Sequence, residues 1–168
     1  MKYKKTAIIF GISGQDGAYL SNFLLQKGYK VIGTTRNRSI KNLYRLKKLN
    51  IIKKVNILKG VATNLKFCEK ILSKNISEIY YLSGDSSVIN SFETPDISLK
   101  SNTEAILNIL ETLKRKKYKS KLFNAGSGQF FGDNKNNFYD INSKIDPQSP
   151  YGVSKAAAYW LVKIYREK

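Results

Sequence analysis

The sequence contains no histidine and only one cysteine, Cys68. A single thiol excludes an intramolecular disulfide framework. Without histidine, one cysteine cannot supply the nitrogen and sulfur ligands that a structural zinc site needs. We therefore predict no metal site, and the function of the chain has to rest on other side chains.

Long apolar runs and low-complexity tracts are also missing. No stretch approaches the roughly 20 apolar residues of a membrane-spanning helix, and only three prolines occur. The basic N-terminus precedes an apolar run at 7–12, but this run is too short for the apolar core of a signal peptide. We therefore expect a globular cytoplasmic protein with no membrane partner, whose residues 1–168 form one domain.

Acidic residues are scarce, with 12 Asp and Glu against 30 Lys and Arg, for a net charge of +18 at pH 7. Such an excess would suit an anionic partner such as nucleic acid or a phosphorylated ligand. However, the lysines are spread through every segment. The densest run, at 114–121, falls where a helix is expected to end, and cations there interact favourably with the helix dipole. We attribute most of the charge to a biased composition and predict no nucleic-acid partner.

Along the chain, short apolar runs alternate with longer amphipathic segments. Apolar runs of this kind are typical of strands buried on both faces. The predicted strands are 6–11, 29–35, 54–60, 78–84 and 120–126. The predicted helices are 16–28, 40–49, 64–74, a long helix after Pro95 and a last helix from residue 149 onward. Such an alternation predicts an α/β fold, a doubly wound Rossmann-like parallel sheet of about five strands.

The segment GISGQDG, at 11–17, lies between the first predicted strand and the first predicted helix. Its glycines follow a GxxGxxG spacing and not the GxGxxG of the standard dinucleotide fingerprint. Glycines permit a tight turn and a close approach to a pyrophosphate, and the helix N-terminus adds unpaired N–H groups. We predict a dinucleotide site, the alternative being a plain strand-to-helix turn. Its residues are Gly11, Ile12, Ser13, Gly14, Gln15, Asp16 and Gly17.

The end of the second strand distinguishes NADP from NAD. An NAD site carries an acidic residue about 20 residues after the glycines, which accepts hydrogen bonds from the ribose. This chain has Arg36 and Arg38 there and no carboxylate. Cationic side chains would pair with a 2′-phosphate. We predict NADP, the alternative being that both arginines belong to the general basic excess.

A possible catalytic pair, Tyr151 and Lys155, begins the last helix. Ser149 can cap this helix, and Pro150 suits its first turn. Residues four apart share a helix face, so the Lys155 ammonium and the positive helix end favour the Tyr151 phenolate. Such a tyrosine can take a proton from a sugar hydroxyl while hydride leaves the same carbon. A Tyr and a Lys four residues apart usually lie on a helix surface without a function. Together with the glycine loop, however, the pair predicts catalysis.

Four segments, 11–39, 78–95, 124–133 and 149–167, resemble a known family. They are similar to the extended short-chain dehydrogenase/reductases, and within these to the N-terminal half of the GDP-mannose 4,6-dehydratases. The resemblance implies a bound NADP that takes hydride from C4 of a hexose and returns it at C6, after water is lost from C5 and C6. It also implies a nucleotide-sugar substrate, GDP-mannose above all.

The same resemblance assigns roles to individual residues. Ser127 is expected to hydrogen-bond the sugar at C4, Tyr151 to act as the base, and Lys155 to bind the nicotinamide ribose. Residues 11–16 and 82–86 are expected along the cofactor. In the second of these segments the predicted contacts are Leu82, Ser83, Gly84 and Ser86.

Three positions depart from the family pattern. Two residues after the catalytic Ser or Thr, the family has a Glu that removes the C5 proton. This chain has Gln129, and an amide cannot act as that base. An adenine-contacting Asp is replaced by Val61, and a Gln by Asp85. Three hypotheses stay open: a dehydratase with an altered catalytic position 129, an NADP-binding module without turnover, and an epimerase or 4-reductase, which needs no base at C5.

The resemblance also implies partners for this domain. Family members continue into a substrate-binding part, so we expect the chain to end before it and to leave the fifth strand with an unpaired edge. Helices near 103–115 and 151–166 are expected to form a homodimer interface. The second of these carries several large apolar side chains, namely Tyr159, Trp160, Ile164 and Tyr165.

Overall fold

The central feature of the computed structural model, which describes residues 5–132 and 138–167, is a parallel sheet. Its five strands lie in the order β3-β2-β1-β4-β5. The strands are β1 (Lys5–Phe10), β2 (Tyr29–Thr35), β3 (Asn56–Lys59), β4 (Glu78–Tyr81) and β5 (Lys121–Asn124). The predicted doubly wound, Rossmann-like α/β fold is confirmed.

Helices follow or connect these strands. They are α1 (Gln15–Gln26), α2 (Tyr44–Lys48), α3 (Leu65–Ile71), α4 (Val88–Glu93), α5 (Pro95–Leu99), α6 (Ala105–Arg115) and α7 (Pro150–Arg166). A π-helical turn, Lys100–Glu104, joins α5 to α6, and a short 3₁₀ turn, Gly128–Phe130, follows β5. The sequence predicted the helix after Pro95, but α4 was not predicted. No helix of the described residues is long and apolar enough to cross a membrane.

Strand β1 lies at the centre because its side chains are apolar in both directions. Residues 7–10 are buried, with Ile8 and Phe10 in the cluster that α6 covers and Ala7 and Ile9 in the cluster on the opposite face. Full burial of an isoleucine side chain contributes about 2–3 kcal/mol. A polar substitution on either face of this strand would therefore bury an unpaired polar group in one of the two cores.

The chain changes direction across the sheet at β1, and this creates a crevice. β1 pairs with β2 on one side and with β4 on the other. Loops that leave the carboxyl ends of β1 and β4 therefore diverge onto opposite faces, which is where parallel α/β sheets bind ligands. The Leu82 N–H donates to the Phe10 carbonyl at 3.0 Å, so the β4 loop begins directly beside the glycine loop.

Strand β5 forms one edge of the sheet, as the sequence predicted. Among the described residues only β4 pairs with it. A cavity of about 800 Å³ adjoins this edge between α6 and α7, lined by residues that include Leu113, Leu122 and Val162. None of the predicted site residues lines this cavity.

Candidate functional site

The glycine loop is held tightly between β4 and α1. Gly11 has a φ of +90°, and a Cβ there would lie 2.9 Å from the Leu82 carbonyl oxygen. A Cβ on Gly17 would lie 2.3 Å from the Gly11 carbonyl oxygen. Both positions therefore require glycine, one because of its backbone conformation and its neighbour, the other because α1 packs directly on the loop.

The start of α1 suits an anion. Its N-cap is Gly14, which has no side chain to satisfy the N–H groups of the first turn. Among the described residues, a Cβ on Gly14 would meet only the Gly11 carbonyl oxygen, at 3.2 Å, so the outer side of this residue is open. Free N–H groups and the positive end of the helix dipole are the features that bind a pyrophosphate. Gln15 and Asp16 are exposed on this first turn, whereas Ile12 is buried beneath the loop.

A pocket of about 360 Å³ opens beside this loop. It is lined by Gly11, Ser13, Gly14, Thr34, Thr35, Arg36, Asn37, Asn42, Gly60, Val61, Leu82, Ser83 and Gly84. The loops after β1, β2, β3 and β4 thus meet here, and no carboxylate is among the described residues that line the pocket. The pocket suits an anionic dinucleotide.

The two predicted arginines separate in the structure. Arg36 lines the pocket, but Arg38 does not. The reason is a local turn, in which the Ser39 N–H donates to Oδ1 of Asn37 at 2.8 Å and redirects the chain. Ser86 also lies outside the lining residues. Asn37 and Asn42 were not predicted, since isolated asparagines in a loop form no recognisable pattern.

Val61 occupies the place where the sequence analysis expected an adenine contact. The loop that carries it is fixed by Asn108 of α6, whose Nδ2 donates to the carbonyls of Ala62 at 3.0 Å and Thr63 at 3.1 Å. Val61 therefore presents an apolar side chain to the pocket from a well-held loop. A dinucleotide base can pack on it but gains no side-chain acceptor from it.

Tyr151 and Lys155 lie together on the first turns of α7. Ser149 caps this helix, its Oγ accepting from the Gly152 N–H at 3.0 Å. Both side chains are largely buried, each 8% exposed, and Nζ of Lys155 lies 5.8 Å from the centre of the Tyr151 ring. Nζ also donates to the Ala125 carbonyl at 3.1 Å. Burial lowers the pKa of Lys155 below its ordinary value.

Two distant segments hold this helix start in place. The Tyr151 N–H donates to Oγ of Ser91 in α4 at 3.1 Å. Nδ2 of Asn102, in the π-helical turn, donates to Oγ of Ser154 at 3.1 Å and to the Asp85 carbonyl at 3.2 Å. The loop after β4 is thereby tied to the helix that carries the tyrosine. Sequence reasoning missed Asn102; the polar run 101–103 inside an otherwise apolar helix was the available signal.

The loop after β5 brings Ser127 and Gln129 to the same helix start. Oγ of Ser127 accepts from the Gln129 N–H at 3.2 Å, which leaves the hydroxyl hydrogen free to donate elsewhere. A Cβ on Gly152 would lie 2.6 Å from the Gln129 carbonyl oxygen, so this loop packs directly against the residue after Tyr151. The Gln129 side chain is exposed. The structure therefore places all four predicted catalytic positions around the first turns of α7.

Comparisons with known proteins show the family of the chain. A family model described as GDP-mannose 4,6 dehydratase matches residues 8–168. A GDP-mannose 4,6-dehydratase from Vibrio cholerae serotype O1 is 33% identical over 175 residues, covering 98% of this chain and 46% of that protein. GDP-mannose 4,6 dehydratase 1 from Arabidopsis thaliana is 33% identical, covering 99% of this chain and 49% of that protein. The chain thus spans about half the length of the curated relatives it matches.

Solved structures share the fold at lower identity. A UDP-Glc/GlcNAc 4-epimerase from Campylobacter jejuni superposes with a TM-score of 0.86 at 15% identity, over 97% of this chain and 49% of the epimerase. A double mutant of the dTDP-glucose 4,6-dehydratase DesIV from Streptomyces venezuelae, with NAD and DAU bound, gives 0.83 at 18% identity, over 96% and 52%. These likenesses concern the fold alone.

Proposed function

The chain belongs to the GDP-mannose 4,6-dehydratase family, and on that premise we propose that it is the NADP-binding half of a nucleotide-sugar 4,6-dehydratase. The observation that carries the proposal is the arrangement at the carboxyl edge of the sheet. A glycine loop that suits an anion lies there beside the loop after β4, and Asn102 ties that second loop to the helix that carries the Tyr–Lys pair. GDP-mannose is the proposed substrate, and the cytoplasm the proposed location.

The residues present fit NADP. Gly14 and the first turn of α1 would hold the pyrophosphate, Arg36 would pair with the 2′-phosphate, and 82–84 would flank the cofactor. Lys155 would bind the nicotinamide ribose. When bound, NADP supplies a hydride acceptor at the sugar carbon. Arg38 and Ser86 are assigned weaker roles because neither lines the pocket.

Tyr151 would take the proton of the C4 hydroxyl as hydride leaves C4. Nζ of Lys155 lies 5.8 Å from the centre of the Tyr151 ring, and both residues belong to the first turns of α7. The free hydroxyl hydrogen of Ser127 would hydrogen-bond the sugar oxygen at C4. A positioned base of this kind contributes roughly 10²–10⁴-fold to rate.

Gln129 favours a second candidate function. Its amide cannot remove the C5 proton, and no described carboxylate belongs to the 3₁₀ turn that carries it. A nucleotide-sugar epimerase or 4-reductase uses hydride transfer at C4 and needs no C5 base. A binding module without turnover is the remaining alternative.

One experiment separates these functions. The protein is incubated with GDP-mannose and NADP, and the products are analysed by mass spectrometry. A 4-keto-6-deoxy sugar supports the dehydratase, and an isomer supports an epimerase. A 4-reductase is tested in a second incubation, in which a GDP-linked 4-keto-6-deoxy sugar and NADPH are supplied and the reduced sugar is the expected product. Unchanged sugar in both incubations together with tight NADPH binding identifies the binding module, whereas no NADPH binding rejects the proposal altogether.

We also propose a homodimer through α6 and α7. On α7 the side chains of Trp160 and Ile164 are 45% and 50% exposed, and the neighbouring α4 exposes Phe92. Covering such a surface is favourable by roughly 25 cal/mol per Å² of apolar area. Sedimentation that detects only monomer at micromolar concentration would contradict this association.

A further inference from the structure

The predicted 2′-phosphate loop is fixed by a network of side chains centred on Thr35, which is 5% exposed. Nδ2 of Asn42 donates to Oγ1 of Thr35 at 2.9 Å, and Oγ1 in turn donates to the Asn37 carbonyl at 3.1 Å. Oγ of Ser13 lies 3.2 Å from the same oxygen. The end of β2, the segment before α2 and the glycine loop therefore meet at one hydroxyl group.

A second set of bonds closes this arrangement. Nδ2 of Asn42 also donates to the Asn37 carbonyl at 2.5 Å. Nη1 of Arg45 donates to the Ser13 carbonyl at 3.3 Å, and its guanidinium carbon lies 4.6 Å from the centre of the Tyr44 ring. The loop that carries Arg36 is thus joined to the glycine loop from both ends.

The partners of Asn42 decide what kind of role it can have. An asparagine amide nitrogen carries two hydrogens, and both are directed at protein acceptors, Thr35 and Asn37. Asn42 therefore has no amide hydrogen left for a ligand. It can act on a phosphate only by fixing the backbone next to Arg36, a residue that lines the pocket.

On the basis of the proposed NADP function, we infer that Asn42 is a positioning residue that sets the preference for NADP over NAD. It holds the 36–37 backbone so that Arg36 meets the 2′-phosphate without reorganising. A preorganised guanidinium loses less conformational freedom on binding. NAD lacks the 2′-phosphate, so a fixed 36–37 backbone does not raise its affinity.

The test measures dissociation constants of NADPH and NADH by fluorescence titration. For Asn42→Asp, which keeps the shape, removes both donated hydrogens and adds a charge beside Arg36, we expect the NADPH constant to rise about tenfold or more and the NADH constant to change less than about threefold. Asn56→Asp, which adds the same charge on an exposed residue of β3, should leave both constants unchanged. Asn42→Ala separates the lost hydrogen bonds from the added charge and should weaken NADPH selectively.

A double-mutant cycle shows whether Asn42 acts through Arg36. If it does, Asn42→Ala on an Arg36→Ala background should cost much less NADPH affinity than it costs alone. Equal losses for NADPH and NADH, or full additivity in the cycle, would overturn the inference while leaving the cofactor site intact. If Arg36→Ala itself leaves NADPH binding unchanged, or the unaltered protein binds no NADPH, the proposed function fails and the inference with it.

Discussion

Replacing Gly17 with alanine should destabilise the protein by an amount that the packing of the glycine loop determines. The added Cβ would lie 2.3 Å from the Gly11 carbonyl oxygen and 2.9 Å from Cα of Ile12. Both contacts are backbone atoms that cannot rotate away, so α1 has to move off the end of β1. Overpacking of this kind costs about 1–3 kcal/mol.

This free energy translates into a measurable change in Tm. At this chain length each kcal/mol shifts Tm by about 2–4 °C, so Gly17→Ala is expected to lower Tm by about 2–12 °C in differential scanning calorimetry. Gly128→Ala is the matched control, because, beyond its chain neighbours, no atom of residues 5–132 and 138–167 lies within 4 Å of its added Cβ. We expect that variant to melt within about 2 °C of the parent.

NADPH titration of the same variants extends the test to the cofactor. Moving α1 away from the loop should also misplace the N–H groups that would face the pyrophosphate, so Gly17→Ala should bind NADPH more weakly. A Gly17→Ala protein that melts with the parent would refute the packing argument. One that melts low but binds NADPH as tightly as the parent would show that the phosphates do not lie at this helix end.

Three other substitutions test separate parts of the site. Gln129→Glu should raise formation of a 4-keto-6-deoxy sugar by about 10²–10⁴-fold, measured by mass spectrometry, because it restores a base for C5. Val61→Asp should tighten NADPH binding about 2–10-fold in a titration, since it adds an acceptor for the adenine amine. Lys155→Met should remove a pH dependence of the free energy of unfolding. Burial depresses the Lys155 pKa below 10.5, so the unfolded chain binds more protons between the folded pKa and 10.5, and stability should rise with pH there. In denaturant titrations, the unfolding free energy of the parent minus that of the variant should rise over the same pH range.

Controls and contradicting results sharpen these tests. Gln26→Glu, on an exposed residue of α1, should leave sugar conversion unchanged, and an inactive Gln129→Glu that still transfers hydride would place the missing base elsewhere. Reduced nicotinamide mononucleotide has no adenine and should bind Val61→Asp as it binds the parent. If Lys155→Met and the parent show the same pH dependence of stability, burial does not perturb the amine.

The strands could be predicted because burial on both faces leaves an unmistakable pattern. Residues 7–10 of β1 are apolar without interruption, and all four are at most 1% exposed. The buried face of α6 was equally clear, with Ala105, Ile106 and Ile109 in the core. In both cases the signal is local, a continuous apolar run in β1 and a helical period in α6, and tertiary packing only confirms it.

The segment before α2 shows where such reasoning fails. A basic helix was predicted over 40–49, but α2 begins at Tyr44. Side-chain bonds compete with the helix before that point, because the Asn42 N–H donates to Oγ of Ser39 and Nδ2 of Asn42 donates to Thr35. Helix propensity favours a helix over 40–49, but hydrogen bonds to residues outside that segment decide where the helix begins.

The position of Tyr151 depends on the part of the chain that sequence patterns describe least. Its N–H bonds Ser91 in α4, which was not predicted, and Ser154 of the same helix bonds Asn102 in the π-helical turn. A π turn inserts an extra residue and so rotates the side chains that follow, and such turns occur frequently at functional sites. Hydrophobic periodicity carries no information about that rotation. The sheet can therefore be predicted from apolar residues, whereas the geometry that would make Tyr151 a base depends on buried polar side chains 50 or more residues distant in the sequence.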